Sequence, residues 1–267
     1  MSTVLTNNPL TAGDIACRIL QKGVRGQVIG VFSQGIYCRV EENILLFHDA
    51  KWGYVPFGIA ASNFYVFSEA AKPNVGDALL ATDTHVTVGA STFAYVQNEP
   101  LPATNAEPCL PKEEKLRAVY AYLLAHGSHG GMIELLETDR GGARGAADAL
   151  LAGDASAAKK LIGLGRGLTP SGDDFLCGFL SVLGNAGHPF AKAVGEVVAE
   201  HLHRTTDISA AYLGSVLAGE RFTVYDRAIR ALLGGEDFAA DCDFVLGMGA
   251  SSGTDTMLGA LAAAKML

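Results

Sequence analysis

The chain has 267 residues, of which 49% are hydrophobic and 18% charged, with a formal net charge of −8. That is apolar enough to build a core and too apolar for disorder. The acidic balance and the absence of a Lys/Arg run exclude nucleic acid and anionic membrane as natural partners.

Near the N-terminus, Met1–Leu10 shows no basic-then-apolar leader, and a helix is expected over Ala12–Gln21. Short β-branched and aromatic runs follow at Gly26–Ser33, Ile36–Val40 and Ile44–Asp49, then at Ala78–Thr82, His85–Val88 and Thr92–Val96. Gln34–Gly35 and Glu41–Asn43 supply turns between them. Such spacing predicts an antiparallel sheet or small barrel over residues 1–100. Pro100, Pro102, Pro108 and Pro111 make 101–112 read as a linker. From 113 to 267 the apolar spacing turns helical, over Glu113–Ala125, Ala146–Leu151, Ser156–Leu161, Phe175–Leu183, Ala191–Leu202, Ala210–Leu217, Tyr225–Leu233 and Thr254–Met266. The fold class expected is therefore α+β, a β-rich part followed by a mainly helical part. The longest apolar stretch near the C-terminus, Met257–Met266, is about half the ~20 residues that a membrane span needs. Five scattered cysteines with no C-x-x-C fit reduced thiols in a cytoplasm, with no zinc site.

An internal repeat stands out. Ser171–Leu180 (SGDDFLCGFL) and Ser252–Leu261 (SGTDTMLGAL) share S-G-x-D-x-x-x-G-x-L, 81 residues apart, with glycines ahead of both. The S-x-x-D spacing is that of a capping box, so Ser171 and Ser252 are expected as N-caps and Asp174 and Asp255 as their reciprocal acids. A helix start presents unpaired N–H groups and a partial positive charge, and upstream glycines let the backbone curl around an anion. Gly165, Gly167, Thr169, Ser171 and Gly172 at the first start, and Ser251, Ser252, Gly253 and Asp255 at the second, are the candidate substrate-binding residues. Asp173 has Thr254 as its counterpart, so capping does not account for it, and it is the candidate acid together with Asp174. Arg204, with Thr205 and Thr206, offers a guanidinium fork and hydroxyls for a carboxylate or phosphate. No Walker motif, Rossmann fingerprint or G-x-S-x-G elbow is present, and nothing names a cofactor.

Gly165–Gly178 (GRGLTPSGDDFLCG) resembles the hallmark of the AllH (YlbF-like) family, once classed as a domain of unknown function. Arg204–Ser209 (RTTDIS) and Gly249–Thr256 (GASSGTDT) resemble its two further motif blocks, with weaker support from Pro56–Ile59. The resemblance implies a subunit of oxamate carbamoyltransferase, a transferase of allantoin (purine) breakdown. That enzyme interconverts oxalurate plus phosphate with oxamate plus carbamoyl phosphate and works with other protein subunits. Two alternatives stay open: a non-catalytic anion-binding or assembly subunit, and a metal-dependent enzyme using Asp173 and Asp174 as oxygen ligands.

Overall fold

The computed structural model describes residues 9–21, 23–98, 111–234 and 238–267. The chain divides into two compact units, residues 1–103 with 221–223, and residues 104–220 with 224–267. Most of the proline-rich stretch, 99–110, and Cys109 with it, lies outside the described residues.

The first unit runs β1 (Leu10–Ala12), α1 (Asp14–Leu20), β2 (Arg25–Phe32), β3 (Gly35–Val40), β4 (Asn43–Asp49), β5 (Gly58–Ala61), α2 (Phe64–Ala71), β6 (Ala78–Ala81), β7 (His85–Val88) and β8 (Ser91–Gln97). The strands close into a barrel in the order β1-β5-β4-β3-β2-β6-β7-β8. Of the two architectures expected, the barrel forms, and it is not wholly antiparallel: β1 pairs parallel with β8, and β4 with β5. The period-2 rule places Ile36, Cys38 and Val40 of β3, Val86 and Val88 of β7, and Phe93 and Tyr95 of β8 in one buried cluster. Phe47 of β4 stacks on Phe67 of α2 with ring centroids 5.2 Å apart, and Phe93 packs against the same ring at a tilt, 4.7 Å away. Three elements escape the sequence pattern. β1 is too short to show alternation, β5 (GIAA) is buried at every position, and the aromatic α2 (FYVFSEAA) looks more like a strand. The first helix also starts two residues later than expected, because Leu10–Ala12 is committed to the barrel.

β4 is buried on both faces. His48 therefore sits 3% exposed, with Nδ1 3.0 Å from the carbonyl of Asp49. Burial pushes its pKa from an ordinary 6.5 down to about 4. The unfolded chain thus binds a proton near pH 6.5 that the folded barrel refuses until about pH 4. Stability contributed at neutral pH is lost as pH falls through that window, by up to about 3 kcal/mol. Denaturant unfolding at neutral and mildly acid pH should show this loss, and His48→Gln should make it shallower. An unchanged slope in the variant would remove His48 as the cause.

The second unit is helical: α3 (Glu113–His126), α4 (Met132–Thr138), α5 (Ala143–Leu151), α6 (Ala158–Leu161), α7 (Ser171–Asn185), α8 (Phe190–His201), α9 (Asp207–Leu217), α10 (Thr223–Leu233), α11 (Ala239–Leu246) and α12 (Ser252–Ala264). Among the described residues no helix is long and apolar enough to cross a membrane. Its centre is the pair α7 and α12, both buried along most of their length. The four described cysteines, Cys17, Cys38, Cys177 and Cys242, are buried and unbridged.

Candidate functional site

The two repeat segments are the first turns of α7 and α12, and they lie side by side. Cβ atoms built on Gly178 and Gly259 would fall 2.0 Å from the Thr256 carbonyl oxygen and 1.8 Å from that of Phe175. Each glycine thus admits the backbone of the other helix, and the two contacts are equivalent under the repeat. At the N-terminal ends, Ser171 lies against Asp255 and Ser252 against Asp174. First turn meets first turn and second meets second, so the helices run parallel and aim two positive dipole ends at one place. Three carboxyls, Asp173, Asp174 and Asp255, are buried in those first turns.

The repeat extends upstream. Gly172 and Gly253 back onto the carbonyls of Leu161 and Val245, whose oxygens would lie 2.0 and 1.9 Å from an added Cβ, and their amides donate to Leu164 and Met248. Each arm is therefore helix, glycine loop, helix: α6 leading to α7, and α11 leading to α12. Counted from Leu161 to Gly172 and from Val245 to Gly253, the first connection is three residues longer, and the extra length falls within Arg166–Pro170. Gly163, Gly165, Gly167 and Gly249 all have positive φ, which glycine adopts at little cost.

The capping boxes do not form as expected. The N-cap positions are Pro170 and Ser251, neither of which makes a side-chain cap bond, and Ser171 and Ser252 are the first helical residues. Their hydroxyls serve the acid of the opposite helix, because the parallel packing brings that acid closer. Asp255 accepts from the Met132 amide at 2.6 Å and from Ser251 Oγ at 3.0 Å, and so anchors the start of α4. Gly131 permits this approach, since a Cβ there would lie 2.6 Å from Asp255 Oδ2. Burial outweighs these donors and raises the Asp255 pKa to about 6. Gly131–Met132 escaped the sequence reading, although the Gly130–Gly131 pair ahead of an apolar run was its visible signal.

Asp173 is fully buried and holds three donors. Oδ1 accepts the Gly163 amide at 2.9 Å, and Oδ2 accepts Thr205 Oγ1 and, at 2.8 Å, Ser209 Oγ. Its pKa is raised by burial, against the pull of those bonds. It clasps the first glycine loop to the start of α9. Thr206 N-caps α9, accepting from Ser209 at 3.0 Å, and donates to the Leu168 carbonyl. The Arg204 guanidinium is exposed, and its Nη1 donates to the Lys159 carbonyl in α6 at 2.7 Å. Thr205, Thr206 and Arg204 thus fasten the loop from outside. Among the described residues no cluster of three His, Cys, Asp or Glu side chains is arranged to hold a metal ion.

What the arrangement leaves open is backbone. Among the described residues, the amides of Gly165, Arg166, Gly167, Leu168, Thr169 and Ser171 donate no hydrogen bond within the chain. The same holds for Ala250, Ser251 and Ser252 of the second loop. Thr169 Oγ1 and Ser252 Oγ, 3.0 Å apart, join the two loops. Arg166 is exposed and makes no ion pair or hydrogen bond among the described residues, whereas residues 247–252 carry no charged side chain. Unbonded backbone N–H groups at helix starts are the kind of donor that an anion can use.

Residues 161–264 match the family model described as oxamate carbamoyltransferase subunit AllH. The matched segment carries both glycine loops. No curated protein and no solved structure matches the chain.

Proposed function

We propose that this chain is the subunit of a cytoplasmic carbamoyltransferase of purine breakdown that holds carbamoyl phosphate and oxamate next to one another. The longer loop, Gly165–Ser171, takes the phosphate and the shorter loop, Gly249–Ser252, takes the carboxylate. The observation that carries this reading is the set of unbonded amides on two adjoining loops. The loops differ in the way two such ligands differ. A phosphate has more oxygens and more charge, which suits the six open amides and the free Arg166 of the first loop. A planar monoanion suits three amides without a cation. Transfer builds negative charge on the carbamoyl oxygen, and amides fixed in place beforehand stabilise such charge without reorganising. On this reading Asp173 and Arg204 position the first loop instead of touching substrate.

Steady-state kinetics of the assembled enzyme test the assignment. Arg166→Glu should raise the KM for carbamoyl phosphate about tenfold or more, the equivalent of ~1.4 kcal/mol or above, and leave the KM for oxamate nearly unchanged. Because Arg166 is exposed and unpaired, folding should be unaffected. Unchanged constants for both substrates would remove the first loop from phosphate binding. An assembly subunit without a ligand site would show no thermal shift with either compound.

A further inference from the structure

The open amides of the two loops and the Arg166 guanidinium are donors, which suit anionic oxygens. Carbamoyl phosphate and oxamate each carry an NH2 group as well, and an N–H needs an acceptor. Three loop hydroxyls offer acceptor oxygens: Thr169, Ser251 and Ser252. Ser251 Oγ donates to Asp255, on the side of α4. Thr169 Oγ1 and Ser252 Oγ instead meet each other, 3.0 Å apart, where the first loop touches the start of α12.

That pair has its protons committed inside the chain. One O–H can be donated across the pair, and both hydroxyls hydrogen-bond the Asp174 carboxyl. A hydroxyl carries one proton and two lone pairs, so what the pair has left for a ligand is lone pairs. Both residues are half-buried, whereas Asp174 is 7% exposed. The hydroxyls are therefore the reachable part of this cluster.

Their place in the site follows from the function proposed above. The phosphate lies on the first loop and the oxamate carboxylate on the second. The carbamoyl carbon is bonded to a phosphate oxygen and is approached by the oxamate nitrogen, so the carbamoyl group has to lie where the loops meet. Thr169 and Ser252 join the loops there.

We propose that Thr169 and Ser252 accept the N–H groups of the carbamoyl moiety, and so select carbamoyl phosphate against other acyl phosphates. The inference rests on the loops being the anion site. Acetyl phosphate has the same phosphate and the same carbonyl, with a methyl group in place of the NH2. It would set that methyl against two hydroxyl oxygens and return nothing for the water they lose. A site that bonds an N–H rejects an analogue lacking it far better than a site that only measures size.

Calorimetric titration of the assembled enzyme, without oxamate, tests this with carbamoyl phosphate, acetyl phosphate and inorganic phosphate. Wild type should bind acetyl phosphate about a hundredfold more weakly than carbamoyl phosphate, about tenfold for each unanswered acceptor. Thr169→Val keeps the shape of the side chain and removes its hydroxyl. Thr169→Val and Ser252→Ala should each bind carbamoyl phosphate about tenfold more weakly and acetyl phosphate no more weakly than wild type. Inorganic phosphate should stay within about twofold, which separates a lost acceptor from a disturbed loop. Thr169→Ser, which keeps the hydroxyl, should keep the wild-type preference. An unchanged ratio of carbamoyl to acetyl phosphate affinity in both Thr169→Val and Ser252→Ala would overturn the proposal. If those variants fail to fold, wild type decides: equal affinity for the two acyl phosphates overturns it. Arg166→Glu separates the two levels. Phosphate binding that is absent in wild type, or survives Arg166→Glu, refutes the loop site and the hydroxyl role together. Phosphate binding lost in Arg166→Glu, with no preference between the acyl phosphates in wild type, refutes only the role of Thr169 and Ser252.

Discussion

Gly259→Ala should prevent the helical unit from folding, while Gly184→Ala, on the same pair of helices, should stabilise it slightly. A methyl group on Gly259 would lie 1.8 Å from the carbonyl oxygen of Phe175 and 2.7 Å from its carbonyl carbon, and both are backbone atoms that cannot swing away. The helices would have to separate by more than an ångström along their buried contact, so the expected loss is above about 4 kcal/mol. Gly178→Ala, facing Thr256 at 2.0 Å, should behave alike. At Gly184 a Cβ meets nothing within 4 Å, so only the helix propensity changes, a gain of up to about 1 kcal/mol. Urea unfolding of the three variants checks this. A Gly259→Ala protein with near-native stability would mean that the two helices are not locked at these glycines.

Asp173→Ala should be nearly as damaging, for a different reason. Removing the carboxylate strands the Gly163 amide and the hydroxyls of Thr205 and Ser209 around a buried hole. Three unsatisfied donors and a small cavity together make a loss of about 3–5 kcal/mol. Asp173→Asn keeps the volume but turns one acceptor into a donor facing donors, so it too should lose stability. A catalytic Asp173 would show the opposite pattern, with intact folding and abolished turnover in the Asn variant. Measuring both unfolding and turnover in that single protein separates a loop clasp from a reacting group.

Much of the architecture was legible in the residues. His85–Val88 alternates cleanly, and the strand occupies those four residues. The S-G-x-D repeat marked both central helix starts, and its glycines already implied close backbone approach. What the repeat could not reveal was that each half serves the other. A capping box is a local pattern, and nothing in one segment tells whether its acid will answer its own serine or that of a segment 81 residues away. For the same reason the three donors to Asp173, from residues 10 to 36 positions distant, could not be read from its own segment. Arg204 suggested a fork for a ligand by its chemistry, and nothing in its segment showed that its Nη1 would also reach the carbonyl of Lys159, 45 residues away. Residue type foretold the kind of bond, and tertiary packing decided the recipient.

The mutual glycine contact of α7 and α12 also sets a length. Both loops are rigidly continuous with these helices, so the depth at which Gly178 and Gly259 let the two backbones sink together fixes how far apart the cradles stand. If each cradle holds one reactant, that spacing acts as a gauge block for the bond to be made. Two molecules free in solution would have to meet and align, whereas here the approach distance is built in before either arrives, an advantage worth several kcal/mol of barrier when the geometry is right. Changing the gauge by a fraction of an ångström would alter turnover without touching a single group that contacts substrate.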